Sequence, residues 1–226
     1  YTFMGWSTKP MQSVSPQYEA EEKITVNGNV DLYAVVFNRT TETDLTEDQL
    51  PQVDIYKYKQ VIFVGDSRTE FMENVLTGMG ESATKNVKFV CSAGKGLDWF
   101  TTTGWAQLYS IVQHDSNSIL SKKTAVIFNF GVNDLSKSAD YAEYYNWIAP
   151  QLKSKGCELY FMSVNPVNRL MLSNAGRADR SEAAVRSFNQ YMKTNLSSAY
   201  TYIDMYSYLK STGYSFASDH YGTGTV

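Results

Sequence analysis

From residue 60 onward, apolar runs of four to seven residues alternate with segments long enough to form helices. Runs this short and apolar are typical of strands buried on both faces of a parallel sheet. The predicted strands cover residues 60–65, 87–91, 124–130, 158–164 and 200–203. The predicted crossover helices cover residues 68–77, 104–112, 138–155 and 179–196. Because such helices cover both faces of the sheet, we expect an α/β fold: a doubly wound, five-stranded parallel sheet in a three-layer α/β/α arrangement.

The residues before this alternation form a different region of the 226-residue chain. Residues 23–26 and 30–36 are rich in β-branched and aromatic residues, and they flank Asn27-Gly28-Asn29, a typical tight-turn sequence. This pattern predicts a β-hairpin. Residues 41–59 begin acidic and polar, which favours a solvated linker, with a short helix over residues 46–50 as the alternative. We therefore expect a small β-rich segment over residues 1–40, a linker over 41–59, and an α/β domain over 60–226 that lacks its C-terminal helix.

Charge and composition exclude several classes of partner. Twenty Lys and Arg against 23 Asp and Glu leave a net charge of −3, so nucleic acid is not an expected partner. The apolar runs are too short to span a bilayer, and we expect no membrane insertion. Two cysteines, Cys91 and Cys157, and two histidines, His114 and His220, lack the spacing of a metal site. No metal site is therefore predicted.

Candidate chemistry lies in the loops that follow the strands, because ligands of doubly wound sheets bind at the carboxyl ends of the strands. The first of these loops, Gly65-Asp66-Ser67, places a serine at the start of a helix. Ser67 is the candidate nucleophile, and the alternative is that Asp66 or Ser67 only caps the helix.

Two further loops offer hydrogen-bond donors at the same edge. The loop over residues 91–99 contains Gly94 and Gly96, whose backbone can approach a ligand closely, although an ordinary strand-to-helix turn explains it as well. The loop Gly131-Val132-Asn133-Asp134 offers the Asn133 amide, with an Asx turn as the alternative. A nucleophilic serine also needs a base. His220 follows the fifth strand and is the candidate, since His114 lies in a polar stretch typical of a surface turn.

These four blocks, in this order and one per successive loop, resemble those of the SGNH, or GDSL-like, hydrolases. The resemblance covers residues 60–226 and implies a flavodoxin-like sheet and a serine esterase mechanism. It implies Ser67 as nucleophile, His220 as general base, and an oxyanion hole formed by the Ser67 and Gly96 backbone N–H groups and the Asn133 amide. It implies no metal or organic cofactor.

The acid of the triad departs from the family pattern. The family usually places an Asp three residues before the His, where this chain has Ala217. Asp219, directly before His220, is the first candidate. The alternatives are a backbone carbonyl of residue 217 or 218 in a Ser-His dyad, or Asp204 after the fifth strand.

Three residues beside these blocks are predicted to bind substrate at the entrance of the site. Arg68 follows the nucleophile, and Asp98 and Trp99 follow the glycine loop. Trp99 could stack on a sugar ring, with packing under the loop as the alternative.

Residues 1–40 resemble the C-terminal part of a Listeria–Bacteroides (InlB B-type) repeat, a small β-grasp module, through residues 1–8 and 24–35. This resemblance implies a secreted or cell-surface bacterial protein, wall-associated through further parts of the chain.

Three functions are compatible with the sequence. The first is an extracellular serine esterase that removes short acyl groups, chiefly O-acetyl, from a small molecule or glycan. The second is an acyltransferase on the same site, and the third is a catalytically inactive glycan-binding module.

Overall fold

The computed structural model describes residues 2–8, 17–18, 21–37, 58–80, 85–115, 123–167 and 180–212. These residues fall into two compact units. The larger contains the described residues within 54–164 and 183–205, and the smaller contains those within 1–53, 165–182 and 206–226. The predicted linker over residues 41–59 lies outside the described residues, except for its last two.

The smaller unit contains an antiparallel pair of strands, β1 (Thr2–Ser7) and β2 (Tyr33–Phe37). The predicted hairpin is wrong, because residues 23–32 form no strand and β2 pairs with β1 instead. Val26 and Val30 are 50% and 44% exposed, so this run buries no apolar face that would stabilise a strand there. A turn sequence indicates where a chain reverses, but it does not select the strand that pairs.

The larger unit is built on five parallel strands: β3 (Gln60–Gly65), β4 (Val87–Cys91), β5 (Thr124–Asn129), β6 (Cys157–Met162) and β7 (Tyr200–Ile203). Their order across the sheet is β4-β3-β5-β6-β7, and every neighbouring pair is parallel. The predicted fold class is therefore confirmed. β3, β4 and β7 have the predicted bounds, whereas β5 ends one residue earlier and β6 begins one residue earlier and ends two earlier than predicted.

Helices follow the strands along the chain. Their bounds are α1 (Ser67–Gly78), α2 (Leu97–Trp99), α3 (Trp105–Asp115), α4 (Ser138–Ser154), α5 (Glu182–Asn195) and α6 (Met205–Thr212). A π-helical turn, Phe100–Gly104, joins α2 to α3, and a 3-10 turn, Leu135–Lys137, precedes α4. His114 lies in the last turn of α3 rather than in a surface turn. Within the described ranges, no helix combines the length and apolarity needed to cross a membrane.

An aromatic core joins the centre of the sheet to α4 and to the turn before α3. Phe128 of β5, Phe100 and Tyr145 are fully buried. The Phe128 ring centroid lies 4.6 Å from that of Tyr145 and 5.7 Å from that of Phe100. Aromatic pairs at these separations contribute roughly 0.5–1.5 kcal/mol each beyond the area they bury. This packing fixes β5 and the loop after it relative to the glycine loop before α2.

Candidate active site

Three of the predicted loops leave the same edge of the sheet. β3 lies between β4 and β5, and the three strands are parallel, so the loops that follow them are neighbours. Several hydrogen bonds join them, among them one from the Ser92 N–H to the Gly65 carbonyl at 3.3 Å and one from the Asn133 side chain to the Lys95 carbonyl at 2.8 Å. The structure thus brings together the nucleophile, glycine and asparagine blocks.

Ser67 is exposed at the first position of α1, directly after the strand and the Asp66 cap. The turn is tight because Gly65 has no side chain. A Cβ there would lie 2.0 Å from Thr69 Oγ1 and 2.8 Å from the Asn129 carbonyl oxygen. The serine hydroxyl therefore stands at a helix N-terminus, where the helix dipole favours negative charge.

Asp66 caps α1, and Arg68 holds the cap in place. The Asp66 carboxylate is fully buried, accepts the Arg68 backbone N–H at 3.1 Å, and pairs with the guanidinium through Nε at 3.0 Å and Nη2 at 2.9 Å. The Arg68 Nη2 also donates to the Asn129 carbonyl at 3.0 Å, and the side chain is 9% exposed. The capping alternative therefore applies to Asp66. Arg68 is engaged in supporting the loop, and its role in substrate binding stays a prediction.

Asp134 links the glycine loop to the asparagine loop. Its carboxylate accepts the Leu97 backbone N–H at 2.8 Å and the Tyr141 hydroxyl at 2.8 Å. A Cβ on Gly96 would lie 2.2 Å from Asp134 Oδ2, so the close approach of the two loops requires glycine at position 96. Burial raises the pKa of Asp134, and the hydrogen bonds from Leu97 and Tyr141 partly oppose that effect.

Sequence reasoning did not single out Asp134. Its position directly after Asn133 was the available signal, but the partners that give it a role are distant in sequence.

Two of the backbone donors at this edge have no acceptor within the described residues. Within the described residues, neither the Ser67 N–H nor the Gly96 N–H donates a hydrogen bond. Unpaired backbone N–H groups on neighbouring loops are what an oxyanion hole requires. Asn133 is half-buried, and its bond to Lys95 holds the amide at the junction of the loops. Its oxyanion role stays a prediction.

The other two residues predicted to bind substrate, Asp98 and Trp99, differ in their exposure. Asp98 is exposed and pairs with Lys137 at 2.8 Å. Trp99 is half-buried, with its ring centroid 6.1 Å from that of Phe130, and it lies over Gly104, whose Cβ would be 2.8 Å from Trp99 Cζ3. These contacts fit the packing alternative for Trp99, and the substrate-binding role of both residues stays a prediction.

Two predicted catalytic residues, Asp219 and His220, lie outside the described residues, together with Ala217 and Ser218. Asp204, a further candidate for the acid, is exposed and directly precedes α6, and its carboxylate lies 3.8 Å from Lys193 Nζ.

A scan of the sequence against protein-family models finds no match, and a search of curated proteins finds none either. Among solved structures, a candidate SGNH hydrolase from Slackia heliotrinireducens is similar, with a TM-score of 0.51 and 13% identity over 74% of this chain and 89% of that chain. The fold is that of an SGNH hydrolase.

Two further solved structures are similar to this chain at lower TM-scores. An acetyl xylan esterase has a TM-score of 0.44 and 13% identity over 67% of this chain and 79% of its own. A Bacillus subtilis protein has a TM-score of 0.39 and 14% identity over 68% of this chain and 46% of its own. The similarity to the Slackia heliotrinireducens structure confirms the expected SGNH-like fold. The resemblance of residues 1–40 to a surface repeat stays a prediction.

Proposed function

We propose that the chain is a serine esterase that hydrolyses short acyl esters, chiefly O-acetyl esters of a carbohydrate. The observation that carries this proposal is that the Ser67 and Gly96 N–H groups donate to no acceptor in the described part of the chain and lie at the same sheet edge as the exposed Ser67 hydroxyl. A nucleophile beside preorganised donors is the arrangement that acyl transfer needs. The SGNH-hydrolase fold agrees with this proposal.

In the proposed mechanism, Ser67 Oγ attacks the ester carbonyl carbon while His220 takes the hydroxyl proton. The carbonyl oxygen becomes an oxyanion that accepts hydrogen bonds from the Ser67 and Gly96 N–H groups and the Asn133 amide. The intermediate collapses, and the sugar oxygen leaves with the proton from His220. Water then attacks the acyl-enzyme, with His220 again as base, and releases the carboxylic acid.

The test is hydrolysis of p-nitrophenyl acetate by the wild-type protein and by Ser67→Ala. We expect the substitution to lower kcat by several orders of magnitude, because no other group would form the acyl-enzyme. Ser92→Ala is the matched control, since Ser92 lies on the neighbouring loop and joins it to Gly65 through its backbone N–H. Comparable turnover by Ser67→Ala and the wild type would refute the mechanism.

One observation favours a second candidate, a catalytically inactive glycan-binding module. Ala217 occupies the position where the family usually has its acid. A wild-type protein that binds a glycan but does not hydrolyse p-nitrophenyl acetate would support this candidate. Ester transfer to added sugars, in preference to water, would instead indicate an acyltransferase.

The proposed location is the bacterial exterior, either secreted or at the cell surface. It rests on the resemblance of residues 1–40 to a surface repeat. Detection of the native protein only in the cytoplasmic fraction would refute it.

A further inference from the structure

A groove with a volume of about 470 Å³ lies between the segment after the glycine loop and one face of α4. It is lined by Leu97, Thr101, Asp140, Glu143, Tyr144 and Trp147. The four α4 residues follow an i, i+3, i+4, i+7 spacing, which places them on one helix face. Leu97 directly follows Gly96, so the groove begins next to the proposed oxyanion hole.

One wall of the groove is an aromatic pair, the exposed Trp147 and the half-buried Tyr144. Trp147 is 60% exposed, and its ring centroid lies 5.6 Å from that of Tyr144, with 41° between the ring planes. A large aromatic side chain left this exposed beside a concave surface is typical of a binding surface. Trp99, the tryptophan predicted to stack on a sugar, does not line this groove and packs against Phe130.

The groove is negatively charged. Neither the Asp140 nor the Glu143 carboxylate accepts a hydrogen bond or forms an ion pair within the described part of the chain. Lys137, the cation closest in sequence, pairs with Asp98 and also attracts Asp140 electrostatically without forming an ion pair with it. Two carboxylates that can only accept hydrogen bonds select a ligand rich in donors and disfavour an anionic one.

We propose that this groove binds one pyranose ring of a neutral or amino-sugar glycan. The apolar face of the ring lies on Trp147, and the ring hydroxyls or amine donate to Asp140 and Glu143. The role of the groove as a substrate subsite rests on the proposed function. Only an esterase that acts on this glycan needs to hold the sugar in a groove that begins next to Gly96. A quaternary ammonium ion is the competing ligand, but it favours rings that surround it, whereas Tyr144 and Trp147 lie side by side on one helix.

The experiment is isothermal titration of the Ser67→Ala protein with cellohexaose, xylohexaose, mannohexaose and a chitosan hexamer. We expect at least one of these to bind, Trp147→Ala to weaken that binding tenfold or more, and Asp140→Asn with Glu143→Gln to weaken it as well. Tyr191→Ala is the matched control, since Tyr191 is an exposed aromatic residue on α5 that does not line the groove. A galacturonic acid hexamer should bind at least tenfold more weakly than the best neutral or amino sugar.

Three outcomes would overturn the proposal: no binding of any of the four oligosaccharides, equal binding by Trp147→Ala, or binding of tetramethylammonium in their place. Turnover of p-nitrophenyl acetate separates this proposal from the proposed function, because that ester carries no sugar. Turnover without glycan binding would refute the groove alone. Glycan binding lost in Trp147→Ala, without any turnover by the wild type, would refute the esterase alone.

Discussion

Replacing Gly96 by alanine tests the junction between the glycine and asparagine loops. A Cβ at this position would lie 2.2 Å from Asp134 Oδ2 and 2.6 Å from the carboxyl carbon, well inside van der Waals contact. The carboxylate must therefore move. It then loses the hydrogen bond from the Leu97 N–H, the one from the Tyr141 hydroxyl, or both.

The cost can be worked out from these contacts. A lost hydrogen bond to a charged group costs about 1.5–3 kcal/mol, so we expect the free energy of unfolding to fall by about 2 kcal/mol. For a chain of this length, that change lowers the melting temperature by about 4–8 °C. Because the displaced loop also carries the Gly96 N–H, we expect kcat for an acetyl ester to fall by about 10²-fold.

Thermal unfolding by circular dichroism and turnover of p-nitrophenyl acetate measure the two effects. Gly78→Ala is the matched control, because a Cβ at that helix end meets no atom within 4 Å and alanine favours the helix. Equal melting temperatures for Gly96→Ala and Gly78→Ala would refute the reasoning. In the double variant with Asp134→Ala the clash is gone, so we expect it to be no less stable than Asp134→Ala alone.

Four further predictions concern single side chains. Asn133→Ala should lower kcat by about 10²–10³-fold with little change in KM, and a change in KM alone would assign Asn133 to substrate binding. If Asp219 is the triad acid, Asp219→Asn should lower kcat by about 10⁴-fold, whereas a loss below about tenfold would exclude that role. Trp99→Ala should lower the melting temperature without weakening glycan binding, and weaker binding at unchanged stability would indicate stacking on the sugar instead. Burial and a hydrogen bond to Glu73 raise the pKa of Cys91 to about 12, so iodoacetamide at pH 8 should modify it about 10³-fold more slowly than an ordinary cysteine. Glu73→Gln should speed that reaction. An unchanged rate would show that the hydrogen bond to Glu73 does not raise the pKa of Cys91.

The sequence was sufficient to predict the parallel sheet, because burial on both faces leaves a local signal. The apolar run of β3 ends at Gly65, and both of its bounds matched the prediction. Pairing partners leave no such local signal. The run over residues 23–26 has the composition of a strand, but β2 pairs with β1.

Parts of the candidate site could not be predicted from the sequence either, because contacts between distant residues leave no local signal. The position of Ser67 after a buried strand predicted a nucleophile, and the family resemblance implied Gly96 as an oxyanion donor. The partners that hold the loops, however, come from far along the chain. Asp134 meets Leu97 across 37 positions, and nothing local predicts that contact. Likewise, the exposure of Trp147 depends on how α4 packs.

The pairing of Asp66 with Arg68 affects the electric field at the nucleophile. A lone carboxylate beside Ser67 would repel the alkoxide and the oxyanion, and would cancel the partial positive charge at the start of α1. The bidentate guanidinium makes the cap electrically neutral while the cap still accepts a backbone N–H of the helix. The first turn of α1 can therefore be capped by an acid and still favour negative charge on its exposed side. In the proposed mechanism Arg68 thus supports the reaction as the counter-ion of the buried Asp66 carboxylate.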